Sequence, residues 1–125
     1  NTIYPERERI SAPLRIHSGE LDDWTPAAPC ARQAAALKAL GQDATITIYA
    51  GAHHSFDNLG QRFQYLPNVV SGADCFFRVA SILGPAPSLG EITKCLRRGA
   101  TIAWNPDATE QARRNVRVQL SELLK

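Results

Sequence analysis

The chain has 125 residues, 44% of them hydrophobic, which is enough for one domain with a core of its own. Fourteen basic residues against twelve acidic leave a formal net charge of only +2, so charge makes no case for nucleic acid or an anionic membrane as partner. No apolar run approaches the ~20 residues needed to span a bilayer, and no signal peptide is legible. The chain opens on Asn1 and contains no Met, so it is expected to be part of a longer translation product.

Asn1 to Ser11 is polar and of mixed charge, and reads as an entry segment. Ala12 to His17 predicts a short strand, with Leu14 and Ile16 on one face and Arg15 and His17 on the other. The loop Gly19 to Pro26 leads into a helix for which Thr25 or Asp23 can serve as cap, with Pro26 and Pro29 in the first turn, where no amide is needed. Cys30, Ala34 and Leu37 share one stripe of that helix, and Gly41 stops it. Its many alanines imply close approach to a sheet.

Ala44 to Ala50 is β-branched, alternating and bounded by turn signals, and is the clearest strand in the chain. Strand, helix and strand in this order predict a right-handed crossover between parallel strands. The Gly51–Asp57 loop then leaves the carboxyl end of the second strand, where open α/β sheets place their ligands. Leu59 to Pro87 reads as a long irregular excursion with one short helix around Ala73–Leu83. Ser88 and Glu91 form a capping box for a short helix closed by Gly99. Asn105-Pro106-Asp107 starts a last helix reaching Leu124, with Ala108, Ala112, Val116, Leu120 and Leu123 on one apolar face. Arg113, Arg114 and Arg117, flanked by Glu110 and Glu122, read as its solvated side.

Two strands do not make a stable sheet. The chain is therefore expected either to pair its strand edges with a second copy, as a homodimer, or to be the C-terminal part of a larger sheet. Cys30, Cys75 and Cys95 are an odd number for a disulfide framework. Cys75 and Cys95 pair if the chain is exported, leaving Cys30 as a free thiol; in a cytosolic protein all three stay reduced. Sequence alone leaves both alternatives, and hence the compartment, open. The spacing excludes a C-x-x-C metal site.

The two loops that follow the strands carry the chemistry. One holds Asp22 and Asp23, the other His53 and His54, and both leave the same ends of neighbouring parallel strands. A carboxylate that fixes an imidazole tautomer and stabilises its cation is the acid–base half of a catalytic triad. Taken singly, the acids are explained by capping and the histidines by a surface role; it is their joint placement that points to catalysis. His53, His54, Asp22 and Asp23 also have the donor types for a metal, but a third well-spaced ligand is missing, so neither metal nor cofactor is expected. Trp24 and Phe56 flank the loops, where they either line an apolar acyl pocket or simply pack.

Gly19-Glu-Leu-Asp22-Asp-Trp-Thr-Pro26 resembles the G-x-x-D-x-x-x-P acid loop of the dienelactone hydrolase family of α/β-hydrolases. Gly51-Ala-His-His54-Ser-Phe56-Asp resembles that family's histidine loop, and the segments from Phe56 through Tyr65-Leu-Pro67 to Gly99-Ala-Thr-Ile and the final helix resemble its C-terminal run. The resemblance runs from Pro13 onward and covers only the last third to half of that fold. It implies a partial α/β-hydrolase fold in one domain, residues 1–125: short parallel strands with flanking helices, lacking the N-terminal part with the nucleophile elbow. By position it gives Asp22 the role of triad acid and His54 that of general base, against their neighbours Asp23 and His53. It also implies a Cys or Ser nucleophile on a strand-to-helix elbow, and no Gly-x-Ser-x-Gly or Gly-x-Cys-x-Gly occurs here. Ser18, Cys30 and Ser55 are poor substitutes: Ser18 ends a strand, Cys30 sits on a packed helix face, and Ser55 adjoins His54. The expectation is a C-terminal segment of a carboxylic ester or lactone hydrolase, acting on a small-molecule substrate once a nucleophile is supplied from outside. The alternative is a non-catalytic domain of the same ancestry serving as a dimerising or binding module.

Overall fold

The computed structural model describes residues 2–3, 10–75, 77–78 and 88–125. In chain order their elements are β1 (Thr2–Ile3), β2 (Leu14–Gly19), α1 (Ala27–Ala39), β3 (Ala44–Tyr49), β4 (Gln64–Ser71), β5 (Phe77–Arg78), α2 (Leu89–Cys95), β6 (Arg97–Ile102) and α3 (Pro106–Leu123). This is a mixed α/β architecture. The described strands pair two by two: β1 with β5, β2 with β3, and β4 with β6.

The β2–α1–β3 unit is the crossover expected from the pattern. β2 and β3 are parallel and in register from Leu14 opposite Ala44 to Gly19 opposite Tyr49. Between them α1 buries Ala27, Ala34 and Leu37, and the small side chains let its axis lie close to β3. Leu37 is 2% exposed, a burial that contributes roughly 2 kcal/mol. Tyr49, Ala52 and Ala108 form a second buried cluster, with Phe56 and Ala112 packed against it, so the carboxyl end of β3 and the first turns of α3 share one core.

The N-terminal end of α1 departs from expectation. Its cap position is Pro26, which has no side-chain hydrogen bond to offer, and neither Thr25 nor Asp23 caps it. Both side chains are engaged elsewhere, as described below. The caps of the other two helices follow the sequence reading. Ser88 Oγ accepts from the Glu91 amide while the Glu91 carboxylate accepts from the Ser88 amide, and Asn105 accepts from the Ala108 amide.

The larger corrections fall between residues 59 and 102. Part of the expected irregular excursion is a strand, β4, and Gly99 does not close a helix: α2 ends at Cys95 and Gly99 lies inside β6. β4 and β6 run antiparallel, with a register shift between Leu66 and Val70. Pro67 sits in that irregular stretch, where a missing amide costs least. Opposite it Gly99 has φ +95, a conformation that favours glycine, and a Cβ there would push the Tyr65 ring aside. The helix expected around Ala73–Leu83 begins instead as a turn at Ala73–Asp74, with Phe77–Arg78 extended, and its remainder falls outside the described residues. Thr2–Ile3, expected as part of an entry segment, pairs in parallel with β5.

Cys75 and Cys95 are disulfide-bonded with their Cα atoms 4.9 Å apart, and Cys30 is free and half-buried. The bond lies just beyond the paired residues Ser71 and Arg97, so it closes the far end of the β4–β6 ribbon. On α3 only the first half of the apolar face is covered: Ala108 is buried and Ala112 partly so. Val116, Leu120 and Leu123 remain 38–49% exposed, outside the Tyr49 cluster that covers the helix's first turns. On its polar side Arg113 and Arg117 are exposed, and Arg114 pairs with Glu110 at 3.3 Å.

Candidate active site

The acid loop and the histidine loop are held together by backbone before any side chain is considered. The amides of Glu20 and Leu21 donate to the carbonyls of Tyr49 and Ala52, at 3.0 and 2.9 Å. This contact requires Gly19, since a Cβ on it would overlap the Ala52 carbonyl oxygen. Glu20 adds a carboxylate that accepts from the Gly51 amide at 2.8 Å. The glycine in the acid loop is thus a steric condition for bringing the two loops side by side.

Asp22 and His54 meet across this junction. His54 Nδ1 lies 3.0 Å from Asp22 Oδ2, with the carboxylate side chain 9% and the imidazole 31% exposed. An ionised carboxylate only accepts, so Nδ1 carries the hydrogen and Nε2 is the basic nitrogen. Among the described residues nothing hydrogen-bonds to Nε2. The Asp22 carboxylate is itself fixed: Oδ1 accepts from the amides of Trp24 and Thr25 at 3.0 and 2.7 Å, and Oδ2 accepts from the Thr25 hydroxyl at 2.9 Å. Thr25 Oγ1 also lies 3.2 Å from His54 Nδ1, and because its own hydrogen points to Asp22 it accepts a share of the Nδ1–H bond. Thr25 is therefore a residue of the site, where the sequence predicts a helix cap. No local signal separates the two roles, because both place a hydroxyl just before a helix.

The neighbouring residues go elsewhere. Asp23 accepts from the Thr101 amide and hydroxyl at 2.8 and 3.0 Å. The His53 ring meets Phe63 edge-on with centroids 5.5 Å apart, and its buried Nδ1 has no hydrogen-bond partner among the described residues. No three His, Cys, Asp or Glu side chains among the described residues are grouped to hold a metal. Trp24 lies against the His54 ring, centroids 4.9 Å apart, and its Nε1 donates to the Val70 carbonyl at 3.2 Å.

A cavity of about 560 Å³ opens beside the pair, lined by Asp22, His54, Ser55 and Phe56 and, along β2 and the facing helices, by His17 and Cys30 among others. Phe56 reaches it while resting on Tyr49, centroids 5.2 Å apart; Trp24 is not among its lining residues. Ser18 and Ser55 both line it. Ser55 has φ +63, and its carbonyl accepts from the Asn58 amide, closing the turn that separates His54 from Phe56. His17, read in sequence only as the polar face of a strand, is bound on both ring nitrogens. Nδ1 lies 2.6 Å from the Tyr49 hydroxyl and Nε2 3.0 Å from Gln119 Oε1, while the same hydroxyl accepts from Asn115 Nδ2 at 3.2 Å. This polar network ties α3 to both strands behind the cavity.

A mixed α/β fold with an acid and a histidine on adjacent loops at the carboxyl ends of parallel strands defines a hydrolase-like class. The sequence model of the dienelactone hydrolase family matches residues 4–83, and the chain belongs to that family. The match contains both loops; it ends before α2, β6 and α3, short of the C-terminal segments to which the resemblance extends. No curated protein and no solved structure matches the chain.

Proposed function

We propose that the chain supplies the acid and the general base of a catalytic triad in a dienelactone-hydrolase-like carboxylic ester or lactone hydrolase, acting on a nucleophile from outside the 125 residues. The observation that supports this reading is the 3.0 Å contact between His54 Nδ1 and Asp22 Oδ2 at the edge of an open cavity. In this scheme His54 Nε2 removes the proton from an incoming Ser or Cys nucleophile as it attacks the ester carbonyl. Asp22 stabilises the resulting imidazolium and keeps it in the productive tautomer. The same nitrogen then returns the proton to the departing alkoxide, and a water molecule repeats the cycle on the acyl intermediate. Phe56 and Trp24 offer apolar surface beside the reacting group. The Cys75–Cys95 bond favours the exported alternative, since disulfides persist in oxidising compartments.

The test is hydrolysis of a simple aryl acetate. The chain alone is expected to give no turnover above buffer, and addition of a segment carrying a nucleophile elbow is expected to give activity that His54→Ala lowers by about 10⁴-fold. Turnover by the chain alone, lost on His54→Ala, would reveal an internal nucleophile. A folded, active complex indifferent to His54→Ala would refute the assignment, and a folded complex with no activity would favour a binding or dimerising module.

A further inference from the structure

Asp23 is the neighbour to which the acid loop resemblance assigns nothing, yet its carboxylate is fully engaged. Both oxygens accept from one residue 78 positions away, the amide and the hydroxyl of Thr101. Thr101 lies on β6, and the next two residues, Ile102 at the strand's end and Ala103 just past it, hold the other loop. Ile102 forms a bridge with His54, and the Ala103 amide donates to the His54 carbonyl at 3.1 Å. Three consecutive residues thus grip the side chain next to the acid and the backbone of the histidine. The ribbon's other strand makes a parallel grip on Trp24, whose indole donates to the Val70 carbonyl while its own carbonyl accepts from the Ser71 hydroxyl. A two-point bond to an ionised acceptor is stronger and more directional than a neutral one. An acid is therefore the side chain best suited to fix the spacing of the two loops from this distance.

We infer that Asp23 and Thr101 are positioning residues, which set the separation of Asp22 and His54 by tying the acid loop to β6, the strand whose end also binds the histidine loop. The inference rests on the reading of Asp22 and His54 as a catalytic pair. It also gives the β4–β6 ribbon a role: Thr101 lies beyond residue 83, outside the family match, so this chain's C-terminal part completes a site whose reacting groups lie within the match.

The experiment follows the low-field Nδ1–H proton of His54 by NMR in the 125-residue chain, together with exchange of the Thr101 amide. Asp22→Asn is expected to remove the Nδ1–H signal or shift it strongly; if it does not, the paired reading itself fails, whatever Asp23 does. Asp23→Ala is expected to speed exchange of both His54 Nδ1–H and the Thr101 amide by about tenfold or more. Asp23→Asn keeps an acceptor for the amide and a donor for the hydroxyl, and is expected to restore slow exchange at both. A fast Thr101 amide with an unchanged His54 signal in Asp23→Ala would overturn the positioning role. So would an Asp23→Asn chain with a slow Thr101 amide but as perturbed at His54 as Asp23→Ala, since the tether would then be intact without positioning the histidine. Should Asp23→Ala not fold, Thr101→Val, which removes the hydroxyl alone, is expected to quicken His54 Nδ1–H exchange, and no change there would likewise overturn it.

Discussion

Breaking the Cys75–Cys95 bond is the perturbation whose size is best fixed by the structure. The two residues are 20 apart in sequence and close the ribbon beyond the Ser71–Arg97 pair, at the end opposite the one that meets His54. In the chain-entropy treatment a closed loop of that length removes about 11 cal/mol/K from the unfolded ensemble, or about 3 kcal/mol at 25 °C. For a chain of 125 residues this corresponds to a fall in Tm of about 10–15 °C. The measurement is thermal and urea unfolding followed by circular dichroism, comparing oxidised wild type, wild type in dithiothreitol, and Cys75→Ala/Cys95→Ala. The reduced protein and the double variant are expected to fall together, and Cys30→Ala to behave as wild type. A difference under about 1 kcal/mol between oxidised and reduced chains would refute the reasoning, because the ribbon's end would then be held by its hydrogen bonds alone.

Gly19→Ala is expected to destabilise the chain by about 1–3 kcal/mol, since the new methyl meets the Ala52 carbonyl and one loop must yield; urea unfolding measures the loss, and a neutral substitution would contradict the close approach. Tyr49→Phe takes the hydroxyl from His17 and Asn115 together, and a cost of about 1–3 kcal/mol is expected in the same assay, with an unchanged stability as the contrary result. The acid side of the stability profile follows from two carboxylates. The Ser88 hydroxyl and amide hold the Glu91 carboxyl below its ordinary 4.5, and Arg15 holds Asp43 below its ordinary 3.8. Groups shifted down stabilise the fold above their ordinary values, and that stabilisation is lost as the pH falls through their lowered folded values. Amide exchange at Glu91 and Ile92 is therefore expected to quicken as the pH drops below about 4.5, after allowance for the intrinsic rate. Glu91→Gln is expected to flatten that dependence; if the substituted chain kept the acid limb of wild type, the effect would belong to another group.

What the sequence disclosed were the features whose cause is local. Ala44 to Tyr49 alternates β-branched residues; Ser88 with Glu91, and Asn105 before Pro106, state their helix starts within four residues. The parallel pairing of β2 and β3, and the approach of Asp22 to His54, follow from that local pattern plus the topology a strand–helix–strand unit allows. The β4–β6 ribbon is hidden in the sequence because Pro67 and Gly99 break the strand signal at the point where the two strands slip register. Each residue makes sense only once the other is seen across the gap. Thr25 and Asp23 mislead for a related reason: a capping residue and a tether look alike until the distant partner is known. The Cys75–Cys95 pairing is one of two alternatives in the sequence, since composition does not specify whether the chain meets an oxidising compartment.

Ser55 illustrates a different kind of constraint. Its left-handed backbone turns the chain so that consecutive side chains diverge, His54 toward the acid loop and Phe56 toward Tyr49. A valine or isoleucine there would fight the dihedral, whereas glycine, asparagine or aspartate would accept it. Replacements here are therefore expected to be sorted by how well they accept the bend and not by any loss of the hydroxyl.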